Sequence, residues 1–471
     1  MTSRKTQAGA KRIGQKTRRL PPLSGEDLTD MKKVDKYIWQ LTLPALIELM
    51  LATLFNMVDL VMVGSVGTVA LAAVGISTQP NMLIMSVFQS LNVGTMALVA
   101  RFTGTKDYKG RRTVLQQTLI LSLVIGLACS ALGYIYAEKV VIFMGAEPEV
   151  IPPATSYFSL TALGAIFASI TMGIGAALRG AGDTVTPMRY NVIANSLNVV
   201  GNYVLIFGKF GFPALGVSGA ALSTTISRGL AMVLALYAIY HADSLYSLSV
   251  YKSFKLNIPI IKRILNIGLP SGLEQLIMRG GQIEFTRTVS GLGTTVFAAH
   301  QIGINLMGLS FAPNQAFGMS ATTLMGQSLG ADDPDAAHIY GLRTRRLGMM
   351  VAASVTTLFF FFGRYIARLY TSDPKVILLA AAALKILAVM QPLQSTQFIL
   401  AGALRGAGDT RWPLYATIIG IWGIRVIFAK IFIGLGFGLL GAWGANLLDQ
   451  TFRSIFIYAR YKSGHWKTMK V

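Results

Sequence analysis

Charged residues and cysteines are scarce in this sequence of 471 residues. Asp, Glu, Lys and Arg together make up 13% of it, against about 25% in a typical soluble domain. The single cysteine, Cys129, lies inside an apolar stretch, so no disulfide framework is expected. The four histidines are scattered, which argues against a metal site. The patterns G-x-x-x-x-G-K-[ST] and H-E-x-x-H are missing, so we expect neither direct use of ATP nor an enzyme.

Apolar residues dominate instead. Hydrophobic residues make up 53% of the chain, and apolar stretches such as 114–137 and 351–362 recur throughout. Stretches of about 20 residues without polar–apolar alternation are typical of membrane-spanning helices. We therefore expect an all-α polytopic membrane protein. The net charge is +22, but the positive residues lie mostly between apolar stretches, where they set orientation. The expected partner is the lipid bilayer and not nucleic acid.

A long internal repeat organises the chain. Leu178–Thr184 reads LRGAGDT, and the same seven residues recur at Leu404–Thr410, 226 positions later. Further identities at this offset need no gap between residues 43 and 187. They include Leu43-Pro44 with Leu269-Pro270, Glu48 with Glu274, Gln89 with Gln315, Gly104 with Gly330 and Pro187 with Pro413. The register predicts two tandem copies of one unit.

The apolar stretches divide into twelve predicted spans, six in each copy. They run over 38–63, 69–101, 113–137, 154–178, 185–208, 214–240, 263–289, 295–327, 340–363, 376–403, 411–434 and 438–460. Because six is an even number, both copies enter the membrane from the same side. Parallel repeats of this kind are related by an axis along the membrane normal, and substrates typically bind between them.

The spans predict five segments. These are a basic tail at 1–36, an N-terminal six-helix lobe at 37–240, an inter-lobe linker at 241–262, a C-terminal six-helix lobe at 263–462 and a short tail at 463–471. Most of the Lys and Arg residues outside the spans fall on one side of this arrangement, although Arg364, Arg368 and Lys375 fall on the other. The majority places both termini in the cytoplasm, as in a multi-pass protein of the plasma membrane.

Asp59 is the main candidate for chemistry inside a span. A carboxylate in a bilayer is costly, and no basic residue lies within one helical turn of Asp59, so we expect it to be protonatable. Glu48 lies about three turns earlier on the same face. Glu48 recurs as Glu274, whereas the counterpart of Asp59 is Phe285. A feature found in one copy is more often a specialised site, which favours Asp59. The alternative is a carboxylate that only bonds a neighbouring helix.

Other polar residues inside the spans allow two interpretations. Asn198 and Asn202 share one face of the fifth span. Their amides can bond a carboxylate or supply oxygen to a sodium ion, or they can simply hold helices together. Acidic and basic residues one turn apart can neutralise each other or line a pathway. The two predicted pairs are Glu284 with Arg287 and Asp449 with Arg453.

The LRGAGDT motif lies at the cytoplasmic ends of the fourth and tenth spans. Its glycines permit a tight turn, its aspartates are suited to capping the next helix, and its arginines can bond the last carbonyls of the preceding helix. We interpret it as a structural hinge, not as a substrate site. The hinge residues are Arg179, Gly180, Gly182, Asp183, Arg405, Gly406, Gly408 and Asp409.

These motifs make the sequence similar to the multidrug and toxic compound extrusion (MATE) family of secondary transporters. The most specific feature is LRGAGDT followed by proline in both halves. Supporting features are MVDLVMVGSVG at 57–67, Ala298-Ala299-His300-Gln301 and Gly219-Ala220-Ala221. The resemblance covers about residues 38–460, and the chain looks closer to the NorM-like branch. It implies a V-shaped antiporter with two six-helix lobes that exports organic cations and amphiphilic drugs in exchange for H⁺ or Na⁺.

The resemblance also assigns roles to residues. Asp59 matches the family carboxylate that binds the coupling cation, and Asn198, Asn202 and Thr224 match positions around it. The NorM-like branch uses a glutamate in the seventh span, but this chain has Met278 there. Other candidates to line the cavity or to take part in coupling are Glu48, Glu274, Glu284 and Gln301. A monomer without a cofactor or metal is expected.

One alternative function stays open within the same superfamily. A flippase for a lipid-linked precursor would favour an arginine-lined cavity for pyrophosphate. Arg279, Arg287 and Arg425 keep this possibility open.

Overall fold

A computed structural model describes residues 28–241 and 255–469, and for His241 the backbone only. The described residues form helices and no strands. The helices are α1 (Met31–Gly64), α2 (Thr68–Gly104), α3 (Tyr108–Ile135), α4 (Ala137–Phe143), α5 (Ile151–Leu163), α6 (Ala165–Gly180), α7 (Val185–Phe207), α8 (Gly216–His241), α9 (Ile258–Ser290), α10 (Thr294–Gly330), α11 (Pro334–Arg368), α12 (Pro374–Ala407), α13 (Arg411–Thr417), α14 (Ile427–Gly434) and α15 (Gly438–Lys462). A π-helix, Ile418–Val426, joins α13 to α14, and a 3₁₀ turn covers His465–Thr468.

These helices form the twelve expected spans in two repeats, and the predicted fold class is confirmed. Among the described residues, seven helices are long and apolar enough to cross a membrane, judged by length and composition only. One of the seven is the continuous helix of α13, the π-helix and α14. The pair α5–α6, bent by 42° at Gly164, makes an eighth. The remaining four spans, α7, α9, α10 and α15, are not among the helices that meet this criterion of length and composition.

The first helix of each repeat crosses between the lobes. The start of α1 packs on the C-terminal lobe, where Ile38 and Leu41 join one core with Leu324 and Thr42 Oγ1 lies 2.8 Å from Ser320 Oγ. Beyond Pro44, α1 packs on α7 of its own lobe. The start of α9 does the reverse. Its residues Ile260, Ile264 and Ile267 belong to the N-terminal core with Leu91, Leu98 and Val114.

Glycines allow the C-terminal ends of α2 and α10 to pack closely against each other. Gly104 and Gly330 are counterparts in the repeat, and a Cβ on either would overlap the backbone of the other helix. Gln327 Nε2 donates to Gly180 O at 3.0 Å, and Arg343 Nε lies 3.1 Å from Asp35 Oδ1. These contacts join the lobes at one end of the bundle.

The ends of the chain depart from the predicted segments. The basic tail was expected to reach residue 36, but α1 already begins at Met31 and buries Val34. The short C-terminal tail buries Trp466 fully, because its ring stacks on Tyr461. Residues 1–27 of the predicted tail and residues 242–254 of the predicted linker lie outside the described residues.

Candidate functional site

Asp59 lies in a cavity inside the N-terminal lobe. The cavity holds about 210 Å³ and lies between α1, α6, α7 and α8. Asn202 Nδ2 donates to Asp59 Oδ1 at 2.7 Å. The structure therefore brings together the two residues that share a depth in the predicted spans. The amide oxygen of Asn202 is buried and accepts no hydrogen bond.

Asn198 completes this arrangement. Two oxygens facing each other repel, so the amide of Asn198 is oriented with its nitrogen toward the carboxylate. Its Nδ2 then lies 2.9 Å from Asp59 Oδ2, and its oxygen lies 3.3 Å from Thr224 Oγ1. Three of the four predicted coupling residues, Asp59, Asn198 and Thr224, thus line one cavity, and the fourth, Asn202, is bonded to Asp59. A carboxylate held by two amides, beside an unused amide oxygen, is suited to bind H⁺ or Na⁺.

Sequence reasoning missed Arg228, which lines the same cavity from α8. Its Nη1 donates to Thr161 O at 3.0 Å. Arg228 lies four residues after Thr224, so the helical period was the signal that could have placed it beside the predicted site.

A second cavity, of about 310 Å³, lies between the lobes. Glu48 Oε1 accepts bonds of 2.6 Å from both Arg179 Nη2 and Asn191 Nδ2. The same network recurs 226 residues later, across the cavity. There Glu274 Oε1 accepts a bond of 2.8 Å from Arg405 Nη2 and one of 3.4 Å from Thr417 Oγ1. The repeated glutamates are thus bonded to the repeated arginines of LRGAGDT, which the hinge interpretation did not predict. We call this space the central cavity.

The two cavities share part of their wall. Thr171 and Met172 of α6 and Asn191 of α7 line both of them. Asn191 also donates to Glu48. These residues are thus in contact with both spaces.

In the described part of the C-terminal lobe, different side chains stand at the position that corresponds to Asp59. Phe285 replaces Asp59 there, and the Arg425 guanidinium lies over its ring, 5.9 Å from the centroid. Asp449 is fully buried and accepts from Arg425 and from Arg453. The predicted bond between Asp449 and Arg453 is confirmed at 2.8 Å. Arg425 lies in the π-helix, where it is close to both the Phe285 ring and Asp449.

Two other predicted candidates lie apart from both cavities. Glu284 is bonded to Lys430 of α14, whose Nζ lies 2.7 Å from Glu284 Oε1, a partner that the predicted pairing with Arg287 did not include. A basic residue on a neighbouring helix can pair with Glu284 as well as one on the same helix. Sequence spacing does not show which of the two lies closer. Gln301 is exposed on α10. Neither Glu284 nor Gln301 lines a described cavity.

The LRGAGDT turns have the expected backbone and unequal caps. Gly182 and Gly408 have φ of +91° and +92°, a region that favours glycine. Asp183 accepts from Thr186 N at 3.0 Å and so caps α7 as predicted. Asp409 instead accepts from Arg460 Nε at 2.7 Å, because α15 supplies an arginine there.

Replacing Gly180 or Gly406 with valine is expected to reduce the yield of folded protein. A Cβ at Gly180 would lie 2.5 Å from Met96 O, and one at Gly406 would overlap Thr322 O. Each helix would have to move apart from its neighbour, which typically costs about 1–3 kcal/mol. Size-exclusion profiles and thermal melting in detergent measure the effect. The control is Gly308→Val on α10, where nothing lies within 4 Å of the added Cβ; equal yields for all three variants would contradict the prediction.

Two homologous six-helix lobes, a cavity between them and a buried carboxylate site in one lobe define a membrane transporter with internal repeats. The chain belongs to the MATE family, since the MatE family model matches residues 44–204 and 270–431, one block in each lobe. It is 30% identical to the "Probable multidrug resistance protein NorM" of Thermotoga maritima over 452 residues, 94% of this chain and 95% of that one.

Further relatives and structures agree. The chain is 29% identical to "Multidrug resistance protein PmpM" of Pseudomonas aeruginosa, over 83% of this chain and 82% of that one. It also superposes on a structure described as "Outward-facing conformation of a multidrug resistance MATE family transporter of the MOP superfamily". That superposition has a TM-score of 0.86 and 25% identity, and it covers 93% of this chain and 97% of the other.

Proposed function

We propose that this protein exports organic cations and other amphiphilic drugs by antiport with H⁺ or Na⁺ through alternating access. Substrate binds in the central cavity, and the coupling ion binds at Asp59. Family membership supports an ion gradient as the source of energy, with no cofactor and no enzymatic step. The protein acts as a monomer in the plasma membrane.

The observation that carries this proposal is the wall shared by the two cavities. Antiport requires that ion and substrate bias the same conformational equilibrium. Neutralising Asp59 would change its bonds to Asn198 and Asn202. Both asparagines lie on α7, which also carries Asn191 and hence one bond of Glu48 in the central cavity. The state of the ion site is thereby communicated to the substrate site.

The structure of the C-terminal lobe supports the proposal that there is one coupling site, in the N-terminal lobe. At its counterpart of the ion site, the guanidinium of Arg425 already neutralises Asp449, together with Arg453. The positive charge of Arg425 thus occupies the position in which a transported cation would bind. Coupling is therefore assigned to the N-terminal lobe alone.

The flippase alternative rests on three arginines that lie elsewhere. Arg279 and Arg287 are exposed on α9, and Arg425 is bonded to Asp449. None of the three is among the residues that line the described central cavity, and the two arginines that do line it, Arg179 and Arg405, are paired with Glu48 and Glu274. The geometry favours drug export over the transport of a pyrophosphate-linked lipid.

Dye uptake into everted vesicles tests the proposal. A proton gradient and a sodium gradient are imposed separately, with vesicles from cells that lack the protein as the control. We expect uphill uptake with one of the two gradients, and collapse of uptake when the matching ionophore is added. Uptake driven by neither gradient would contradict the proposal.

A single cysteine at Ser253 tests the orientation. The residue belongs to the predicted inter-lobe linker and lies outside the described residues. In a Cys129→Ala background, Ser253→Cys is expected to react with a membrane-impermeant maleimide only after the cells are opened, because positive loops stay inside. A cysteine at Lys209, between α7 and α8, is the matched control and is expected to react in intact cells. Reversed labelling of the two would overturn the cytoplasmic placement of the termini.

A further inference from the structure

Two side chains of α10, in the C-terminal lobe, are bonded to the end of α6 in the N-terminal lobe. Thr323 Oγ1 donates to Arg179 O at 3.0 Å, and Gln327 Nε2 donates to Gly180 O at 3.0 Å. Thr323 and Gln327 are both buried. Because the last carbonyls of a helix have no partner inside that helix, the end of α6 offers acceptors to another element. These two bonds therefore join the lobes at the first LRGAGDT turn.

Among the described residues, the repeat does not form the equivalent bonds in the opposite direction. The counterparts of Thr323 and Gln327 on α2 are Ala97 and Arg101. Alanine has no side-chain donor. Arg101 Nη2 donates instead to Met469 O at 3.2 Å, in the segment that follows α15. The end of α6 is thus bonded by side chains of the other lobe, whereas the homologous positions of α2 do not bond the end of α12.

We propose that Thr323 and Gln327 form an inner latch, which holds the transporter closed toward the cytoplasm and breaks each time the central cavity opens inward. This inference rests on the proposed function, since alternating access requires the lobes to separate at that end. An interaction shifts a conformational equilibrium only when it differs between the two states. The latch bonds exist while the lobes are in contact. Once the lobes separate, water bonds the same groups, so the latch stabilises the closed state alone.

The surroundings of the latch are suited to repeated opening. α10 and α2 meet there through small residues, since a Cβ at Gly326 would lie 2.6 Å from the Cβ of Ala100, and Gly104 packs against Gly330. Small residues let two backbones approach closely without large side chains that interlock. The contact between α10 and α2 then buries little side-chain area, which leaves hydrogen bonds to set how firmly this end closes.

The latch also lies next to the central cavity. Arg179 accepts a latch bond on its carbonyl, while its guanidinium donates to Glu48 at 2.6 Å in the cavity wall. Thr322, which precedes Thr323 in the chain, lines the same cavity. A ligand that moves Arg179 therefore acts directly on a latch bond. The latch gives the central cavity a short route to the closure at the cytoplasmic end.

Spin labels on the two lobes test the latch. Cysteines at the exposed positions Lys109 and Lys462 carry the labels in a Cys129→Ala background, and the distances between them are measured in purified protein. The latch variant is Thr323→Val with Gln327→Met. We expect the ratio of separated to closed lobes to rise at least about tenfold, because each lost hydrogen bond is typically worth a factor of about five in an equilibrium constant. An unchanged distribution of distances would overturn the inference.

Further variants separate the latch from a loss of stability. Thr356→Val removes a hydroxyl that donates to Ala388 O at 2.9 Å within the C-terminal lobe, so its distances should stay as in the original protein. Thr323→Ser keeps a donor and should also stay closed. If the double variant does not fold, Thr323→Val and Gln327→Met are measured singly, and each should shift the ratio severalfold. Equal shifts in Thr356→Val and Thr323→Val would contradict the inference, because the change would not be specific to the latch.

The outcome is separable from that of the proposed function, because the distances are measured without an ion gradient. Uphill dye uptake by the original protein, together with unchanged distances in the latch variant, would remove only the latch. Failure of uptake under both gradients, together with a shift toward separated lobes in the latch variant, would remove only the antiport proposal.

Discussion

Asp59→Asn is expected to abolish uphill efflux while the protein still folds and binds substrate. Asparagine keeps the size of the side chain and an oxygen that can accept from Asn202 Nδ2, now 2.7 Å from Asp59 Oδ1. It removes the charge that loads and unloads with the coupling ion. Without that change the ion gradient no longer biases the two conformations, because a ligand shifts an equilibrium only by its differential affinity. Dye uptake in everted vesicles is measured beside equilibrium substrate binding.

Glu284→Gln is the matched control for Asp59→Asn. It neutralises a carboxylate at the surface of the other lobe, paired with a Lys430 side chain that is 57% exposed. Uphill efflux is expected to stay near that of the original protein in this variant. Normal efflux by Asp59→Asn under the same gradient would remove Asp59 from the mechanism and point to the carboxylates of the central cavity.

Asp449→Ala is expected to destabilise the C-terminal lobe by about 3–5 kcal/mol, the usual cost of removing one partner of a buried ion pair. Its side chain is fully buried and bonded to two arginines whose side chains are 5% and 3% exposed. Without the carboxylate, Arg425 and Arg453 would face each other with no anion between them. Thermal melting in detergent and the yield of monodisperse protein measure the loss.

Two further variants serve as controls for Asp449→Ala. Glu284→Ala removes a carboxylate from an exposed pair in the same lobe, where about 0–1 kcal/mol is expected. Asp449→Ala combined with Arg425→Met is expected to recover part of the stability, because it removes a charge from both sides of the pair. Full stability of Asp449→Ala alone would show that the cluster contributes nothing to folding.

The spans and the grouping of Asp59 with Asn202 were predictable because their signals are local or repeated. Apolar length located the helices, and the 226-residue offset indicated that the second half of the chain repeats the first. Asp59 was recognisable as a carboxylate in an apolar segment whose counterpart is Phe285. The depth of Asn202, judged from the spans, placed it near Asp59, and the structure puts the two in contact.

Contacts between distant parts of the chain were not predictable in this way. Glu48 and Arg179 are 131 residues apart, and their bond depends on how α1 and α6 pack. Each was interpreted separately, one as a cavity candidate and one as part of a hinge. The bond between Arg425 and Asp449 involves in addition a π-helix, which the sequence pattern did not indicate.

The crossing of α1 and α9 between the lobes has a consequence for the duplicated unit itself. Each unit contributes its first half-helix to the core of the other, through Ile38 and Leu41 in one direction and Ile264 and Ile267 in the other. A solitary unit would leave that half-helix and the groove that receives it uncovered. The two repeats therefore depend on each other to complete their hydrophobic cores. If the two halves of the chain were expressed separately, they would need to assemble as a pair before either core could form.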